Sequence, residues 1–293
     1  MLRVWLIFFV GLYSWPALQA QPNDATQATI RWLRSMQTKD GGFRPAPEAE
    51  PVGSLRATSA AVRALRRFGG QPEDPQAATH FVERCWDEAT GSFADRPGGT
   101  GDVILTAVGL MAARELGLPL ERYRNKALKY LAERAKEYEE VRMAAAGMEA
   151  AGEVPREAAA HWLAALQGRA NPDGTFGQGA EKARATGGTI VAILRLGGEI
   201  KDQQRILELL NSQQQSDGGF AQTADGRSDL ETTYRVMRCY HMLRAKPARA
   251  DALKQWVASC RHDEGGYGIR PGQPPTVGAT YFAAMVLSWL SSP

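Results

Sequence analysis

Glycines punctuate this chain at regular intervals, and the stretches between them carry apolar residues at the spacing of helix faces. One phrase recurs as Gln37-Thr38-Lys39-Asp40-Gly41-Gly42-Phe43, as Gln214-Gln215-Ser216-Asp217-Gly218-Gly219-Phe220 and as Arg261-His262-Asp263-Glu264-Gly265-Gly266-Tyr267. Shorter copies are Gly91-Ser92-Phe93 and Asp173-Gly174-Thr175-Phe176. The aromatics at 43, 93, 176, 220 and 267 are separated by 50, 83, 44 and 47 residues, and the longest step is a double one. A fixed period near about 45 residues marks an array of similar supersecondary units. Each unit reads as helix, glycine loop, helix. Trp32, Trp162, Leu209 and Trp256 each precede the start of a phrase, or the equivalent Gln167, by five residues, as anchors on one helix face. Glycine ends the first helix in a left-handed cap, and the aromatic folds back as a plug. The second helix is rich in small residues, as in Ala57-Thr58-Ser59-Ala60-Ala61 and Ala144-Ala145-Ala146-Gly147.

Six units result, at roughly 24–70, 71–118, 119–152, 153–198, 199–245 and 246–293. The third has no glycine phrase. The small-residue helices belong inside and the charged ones outside, which predicts an all-α fold: an α/α6 toroid of six hairpins in two concentric rings. Closing the ring removes the exposed ends that an open array must cap. Helices over 228–243 and 246–261 follow from the pattern, and no strands are evident.

Before the array, Val4 to Tyr13 is an apolar run behind Met1-Leu2-Arg3, broken by Ser14-Trp15-Pro16 and followed by Ala17-Leu18-Gln19-Ala20. This is the layout of a signal peptide cleaved after Ala20. The expected organisation is therefore a signal over 1–20 and one toroid domain over 21–293, secreted or periplasmic, with no spanning segment after cleavage. A spanning helix needs about 20 apolar residues. Hydrophobic residues at 44% and charged residues at 23% are ordinary globular composition. With 35 basic against 32 acidic residues, the charge is too even and too scattered for a nucleic-acid partner. The cysteines are Cys85, Cys239 and Cys260. The last two lie on consecutive antiparallel helices with a stagger of about 10 Å, beyond the roughly 7 Å reach of a disulfide. Three buried thiols are expected.

The repeated Gln-x-x-Asp-Gly-Gly-Phe phrase, with threonine-bearing helices after it, resembles the prenyltransferase β-subunit and squalene-cyclase repeat family. The resemblance spans essentially the whole mature chain. It implies chemistry at the N-terminal ends of the inner helices. Protein prenyltransferases hold zinc there with Asp-x-Cys-Tyr and a histidine. Here the matching stretch is Asp229-Leu230-Glu231-Thr232-Thr233-Tyr234, and the histidine position falls near Gly278 or Ala279. The thiolate and imidazole are missing, so no metal is expected, nor any cofactor. The family's diphosphate-gripping Arg-x-x-Lys is reduced to Arg227. The cyclases' Asp-x-Asp-Asp-Thr acid resembles Asp229-Leu230-Glu231-Thr232-Thr233, with Glu231 as the acid.

The inner helices align on Thr58, Thr106, Thr186, Thr233 and Thr280. Four positions earlier stand Ser54, Asp102, Lys182, Asp229 and Thr276; Ser, Asp and Thr there are N-cap residues. Two positions earlier stand Arg56, Arg184 and Glu231, with Arg142 in the matching place of the third unit. Such a ring either clamps an anionic headgroup or is a solvated rim of weak ion pairs. Two functions stay open. One is an isoprenoid-handling enzyme, transferase-like or cyclase-like, using Asp229 and Glu231 as catalytic residues. The other is a non-catalytic exported toroid that binds a lipid, a glycan or a protein. For an apolar ligand with an anionic head, Arg56, Arg142, Arg184 and Arg227 would meet the head, with Tyr234 and Tyr281 beside it. Candidate inner aromatics are Tyr234, Tyr240, Tyr281, Phe282 and Trp289.

Overall fold

The computed structural model describes residues 24–222 and 226–292; the signal expected over 1–20 lies outside them. Among the described residues twelve α-helices follow one another: α1 Asp24–Ser35, α2 Leu55–Arg67, α3 Pro75–Arg84, α4 Val103–Glu115, α5 Glu121–Arg134, α6 Tyr138–Ala151, α7 Arg156–Gln167, α8 Lys182–Arg195, α9 Gln203–Ser212, α10 Leu230–Met242, α11 Ala250–Ser259 and α12 Val277–Ser291. Helices α2, α4, α6, α8, α10 and α12 pack side by side in that order, and α12 returns to α2. This closes the inner ring and makes the fold the expected α/α6 toroid. Residues equally deep in neighbouring inner helices meet, as Tyr234 meets Tyr281, so these helices run parallel.

The glycine phrases join the rings. The first glycine of each full phrase lies against the backbone of the next outer helix. At Gly41 (φ +92°) an added Cβ would sit 2.1 Å from the carbonyl oxygen of Ala77 in α3. At Gly265 (φ +112°) it would sit 2.4 Å from the carbonyl oxygen of Ala28 in α1, and that approach closes the circle. Both the positive φ and the contact require glycine.

The aromatic plugs and the inner threonines form one repeated bond. The N–H groups of Phe43, Phe93, Phe176, Phe220 and Tyr267 donate to Oγ1 of Thr58, Thr106, Thr186, Thr233 and Thr280 at 2.9, 3.1, 2.9, 3.1 and 2.9 Å. Burying a Phe side chain contributes about 1.5–3 kcal/mol, and the threonine satisfies the amide that goes under with it. The third unit has neither plug nor threonine.

Several details differ from expectation. Helix α10 begins at Leu230, because the Asp229 carboxylate accepts the Thr232 N–H at 2.8 Å and caps it; α11 spans 250–259. Leu209 is half-buried, and its neighbour Leu210 carries the anchor at 0% exposure, since α9 is rotated by one position. Trp32, Trp162 and Trp256 are buried as expected. Two glycine loops hold two-residue antiparallel ladders, Trp86–Asp87 with Ser92–Phe93 and Tyr267–Gly268 with Pro275–Thr276. They are too short to show a period. Ser54, Asp102 and Thr276 cap their helices. Lys182 does not; it is the first residue of α8 and pairs with Asp173 at 2.9 Å. All three cysteines are buried free thiols.

Candidate functional site

A cavity of about 230 Å³ lies within the inner ring. Its apolar walls include Ala60, Val108, Met111, Met143, Ala146 and Phe282. Charged residues occupy two levels. Arg56 and Glu231 are second residues of their helices and Arg63 and Arg238 are ninth, which puts the levels about 10 Å apart.

At the mouth, a chain of ion pairs crosses three helices. Glu139 accepts Arg142 Nη2 and Arg235 Nη1, each at 2.7 Å. Glu231 accepts Arg235 Nη2 at 2.9 Å and Arg184 Nη2 at 2.6 Å. Arg184 also donates to Thr232 Oγ1 at 3.1 Å. Burial pushes the Glu139 carboxyl up, but Arg142 and Arg235 outweigh it and hold the group down at about 2. Glu231 follows the same pattern: burial raises it, Arg184 and Arg235 pull it lower, and it ends below the usual glutamate range. It is therefore a carboxylate at neutral pH, with Oε1 accepting from both guanidinium groups.

The floor is built from two phenols among guanidinium groups. The Tyr234 and Tyr281 hydroxyls are 2.9 Å apart. Arg238 Nη2 donates to the Tyr234 oxygen at 2.7 Å and reaches Tyr281 at 3.5 Å. The Arg238 guanidinium lies 5.0 Å over the rings of both Tyr234 and Trp289, and that of Arg63 lies 4.5 Å over Tyr281. Arg195, 5% exposed, pairs with Glu149 at 2.9 Å; burial, with Arg238 beside it, draws Arg195 down to about 10. Among the described residues no carboxylate pairs with Arg63 or Arg238. Burial raises the Tyr234 hydroxyl, yet Arg238, Arg63, the Tyr281 hydrogen bond and Arg195 together lower it to about 7. Tyr281 moves the other way, upward, with burial as the leading cause.

Of the residues expected from the sequence, Arg56, Arg142, Glu231, Tyr234 and Tyr281 line the cavity. Arg184 adjoins it through Glu231. Two of the expected residues lie off the cavity wall. Asp229 is 7% exposed, caps α10 through Oδ1 and does not line the cavity. Arg227 is exposed on the loop before α10 and does not line it either. Of the expected inner aromatics, Tyr240 turns outward to Asn211 Oδ1 at 2.8 Å, and Trp289 stacks behind Tyr234. Arg63, Arg195, Arg235 and Arg238 were missed. Their signal was present: Arg56 and Arg63 are seven apart, and Glu231, Tyr234, Arg235 and Arg238 fall at i, i+3, i+4 and i+7, a single helix face.

No group of three or more His, Cys, Asp or Glu that could hold a metal ion lies among the described residues. No described helix is long and apolar enough to cross a membrane.

Helical toroids of this kind form a recognised class. The chain matches the prenyltransferase alpha-alpha toroid domain over residues 1–152 and again over 121–292, and it belongs to that family. Among solved structures it is similar to the type II terpene cyclase MstE from Scytonema, at 15% identity and TM-score 0.64, covering 91% of this chain and 96% of the other. A protein from Actinoplanes is 13% identical with TM-score 0.63, over 92% and 98%. A wild-type glycosidase is 14% identical with TM-score 0.55, over 91% and 96%. These likenesses establish the terpene-cyclase-like toroid fold.

Proposed function

We propose that this chain is a binding toroid that takes an apolar ligand with an anionic head into its central cavity, an isoprenoid or a chain of similar character. The observation that carries this reading is the pair Arg63 and Arg238, cations on the cavity floor that form no ion pair with a carboxylate among the described residues. A cyclase or prenyl transferase develops positive charge on carbon and stabilises it over open aromatic faces. Here guanidinium groups lie over the Tyr234, Tyr281 and Trp289 rings. A carbocation 4–5 Å from one guanidinium would meet roughly 3–4 kcal/mol of repulsion at an effective dielectric of about 20. An anion gains by the same amount. Glu231, an ionised acceptor, is the wrong form for an alkene-protonating acid. A substituted variant of MstE, of the same fold, has been obtained with geranylgeranyl dihydroxybenzoate, which joins an isoprenoid to a benzoate. That pairing of chain and acid is the kind of ligand the cavity suits.

Arg142, Arg184 and Arg235 at the mouth are spent on Glu139 and Glu231, and Arg56 there is exposed to solvent, so the head belongs at the floor. Arg63→Ala should weaken an anionic amphiphile by at least tenfold, since a charged hydrogen bond is worth about 1.5–3 kcal/mol. Arg184→Ala should change affinity less than about threefold, because Glu231 already occupies that cation. Native mass spectrometry of the purified protein, followed by titration of what co-purifies, is the experiment. Turnover of an isoprenoid that disappears in both Asp229→Asn and Glu231→Gln would sink the binding reading.

Export belongs to the same proposal. The Val4–Tyr13 run and the Ala20 site support a secreted or periplasmic protein. N-terminal sequencing of the exported form should begin at Gln21.

A further inference from the structure

The binding reading leaves open how a cavity floor so rich in cations is balanced when no ligand is there. Three guanidinium groups draw the Tyr234 hydroxyl down: Arg238 of its own helix by direct contact, and Arg63 of α2 and Arg195 of α8 through space. Among the described residues only Arg195 of these is ion-paired to a carboxylate, Glu149 of α6, which also acts on Arg238 through space. Helix α12 supplies Tyr281, and α4 supplies the uncharged Val108 and Met111. His241 stacks on the Trp289 ring, which itself stacks on Tyr234. The remaining cavity charges, Arg56, Arg142, Glu231 and Arg235, belong to the mouth level. The two phenols are thus the ionisable acids of the floor, and the Tyr234 oxygen is the one that faces Arg238 at 2.7 Å, with Tyr281 hydrogen-bonded to it at 2.9 Å. Arg238 Nε is buried with no hydrogen-bond partner, a donor for which an incoming acceptor has value.

The geometry points to a proton-linked carboxylate site: a monocarboxylate amphiphile sets its head among Arg63, Arg238 and the two phenols, and the Tyr234 phenolate takes one proton from solvent as the head arrives. No bond within the ligand changes. One O–H bond forms on Tyr234 at the expense of a buffer acid, and the ligand carboxylate replaces the phenolate as the counter-charge of the floor. A carboxylate suits the place because its two oxygens can accept from a guanidinium fork and from a phenol together. A diphosphate brings more negative charge than two unneutralised guanidinium groups balance. With the Tyr234 hydroxyl held at about 7, the sign is fixed. Below that pH the phenol is already protonated and binding is independent of pH. Above it, each bound carboxylate draws in a proton, and affinity falls about tenfold per pH unit.

The inference rests on the binding reading, and the test separates the two. Octanoate is titrated into the wild-type protein calorimetrically from about pH 6 to about pH 9, in two buffers of different ionisation enthalpy. Geranyl diphosphate is titrated alongside. The expected result is a Kd flat at the acid end, rising about tenfold per unit above roughly pH 7, with about one proton taken up per octanoate. At the alkaline end the tyrosinate absorbance should fall as octanoate saturates. The double variant Tyr234→Phe/Tyr281→Phe should bind octanoate with a pH-independent Kd. Octanoate binding to wild type without proton uptake overturns the proton linkage and leaves the binding reading standing. Binding of geranyl diphosphate but not octanoate overturns the carboxylate assignment and also leaves that reading standing. Binding of neither ligand removes the reading itself.

Discussion

Replacing Glu231 by Gln isolates the question of whether this carboxylate is a structural clamp or an acid. Its Oε1 accepts from Arg184 at 2.6 Å and from Arg235 at 2.9 Å. Each charged hydrogen bond would be worth about 1.5–3 kcal/mol if buried. The Glu231 side chain is 38% exposed, so solvent screening cuts the pair to roughly 1–2 kcal/mol. Arg235 keeps Glu139 at 2.7 Å in the variant, which limits the loss further. At about 2–4 °C per kcal/mol for a large domain, the melting temperature should fall by about 2–8 °C at neutral pH. The pH dependence carries the sign. Arg184 and Arg235 hold the folded-state carboxyl below its ordinary value despite burial. The stabilisation is therefore fully present above the usual glutamate range and is lost as pH falls through the depressed value. Scanning calorimetry should show a constant gap between wild type and Glu231→Gln from about pH 6 to about pH 8, closing in acid below roughly 4. A variant as stable as wild type at neutral pH, or a gap that widens in acid, would refute the clamp.

Three further outcomes follow from the same geometry. Thr233→Val strands the buried Phe220 N–H, bonded at 3.1 Å in the native protein, and should cost about 1–3 kcal/mol in urea unfolding; Thr233→Ser should restore most of it. Burial raises the Cys85, Cys239 and Cys260 thiols to about 12, so a thiol reagent at neutral pH should label none in the native protein and three after denaturation. Metal analysis should find no stoichiometric zinc, because Glu231 is held by two guanidinium groups that oppose a dication; one tightly bound zinc per chain would reopen the transferase reading.

The fold was legible because every unit solves the same closure problem with the same parts. Phe43, Phe220 and Tyr267 stand after paired glycines that lie against neighbouring helices, and those demands recur unit by unit, so they repeat in the sequence. The threonine alignment was visible too. Its reason, a bond to each plug's amide, joins residues 10 to 15 positions apart across a loop and has no local pattern. Asp229 illustrates the opposite hazard. Beside Glu231 it looked like half of an acid pair, yet capping a helix requires the same residue at the same place.

The cavity was less legible because nothing repeats there. Each inner helix turns one face to the axis, and closure does not specify what that face carries. In α2 it carries Arg56, Ser59, Ala60 and Arg63; in α4 it carries Val108 and Met111; in α10 it carries Glu231, Tyr234, Arg235 and Arg238. An arginine at such a position resembles a surface arginine until its helical phase is compared with that of the buried residues. Helix α10 makes the comparison possible: Thr233, Val236, Met237 and Tyr240 are buried on the wall side, and Arg235 and Arg238 fall between them, in phase with Tyr234. A cation in phase with the axis is removed from bulk water and keeps its charge only with an acceptor supplied. Glu139, Glu231 and Glu149 supply acceptors for Arg142, Arg184, Arg235 and Arg195, while among the described residues Arg63 and Arg238 touch phenols, rings and a thioether and form no ion pair. That imbalance is what makes an anion the fitting occupant of this toroid, whatever the fold hosts in other chains.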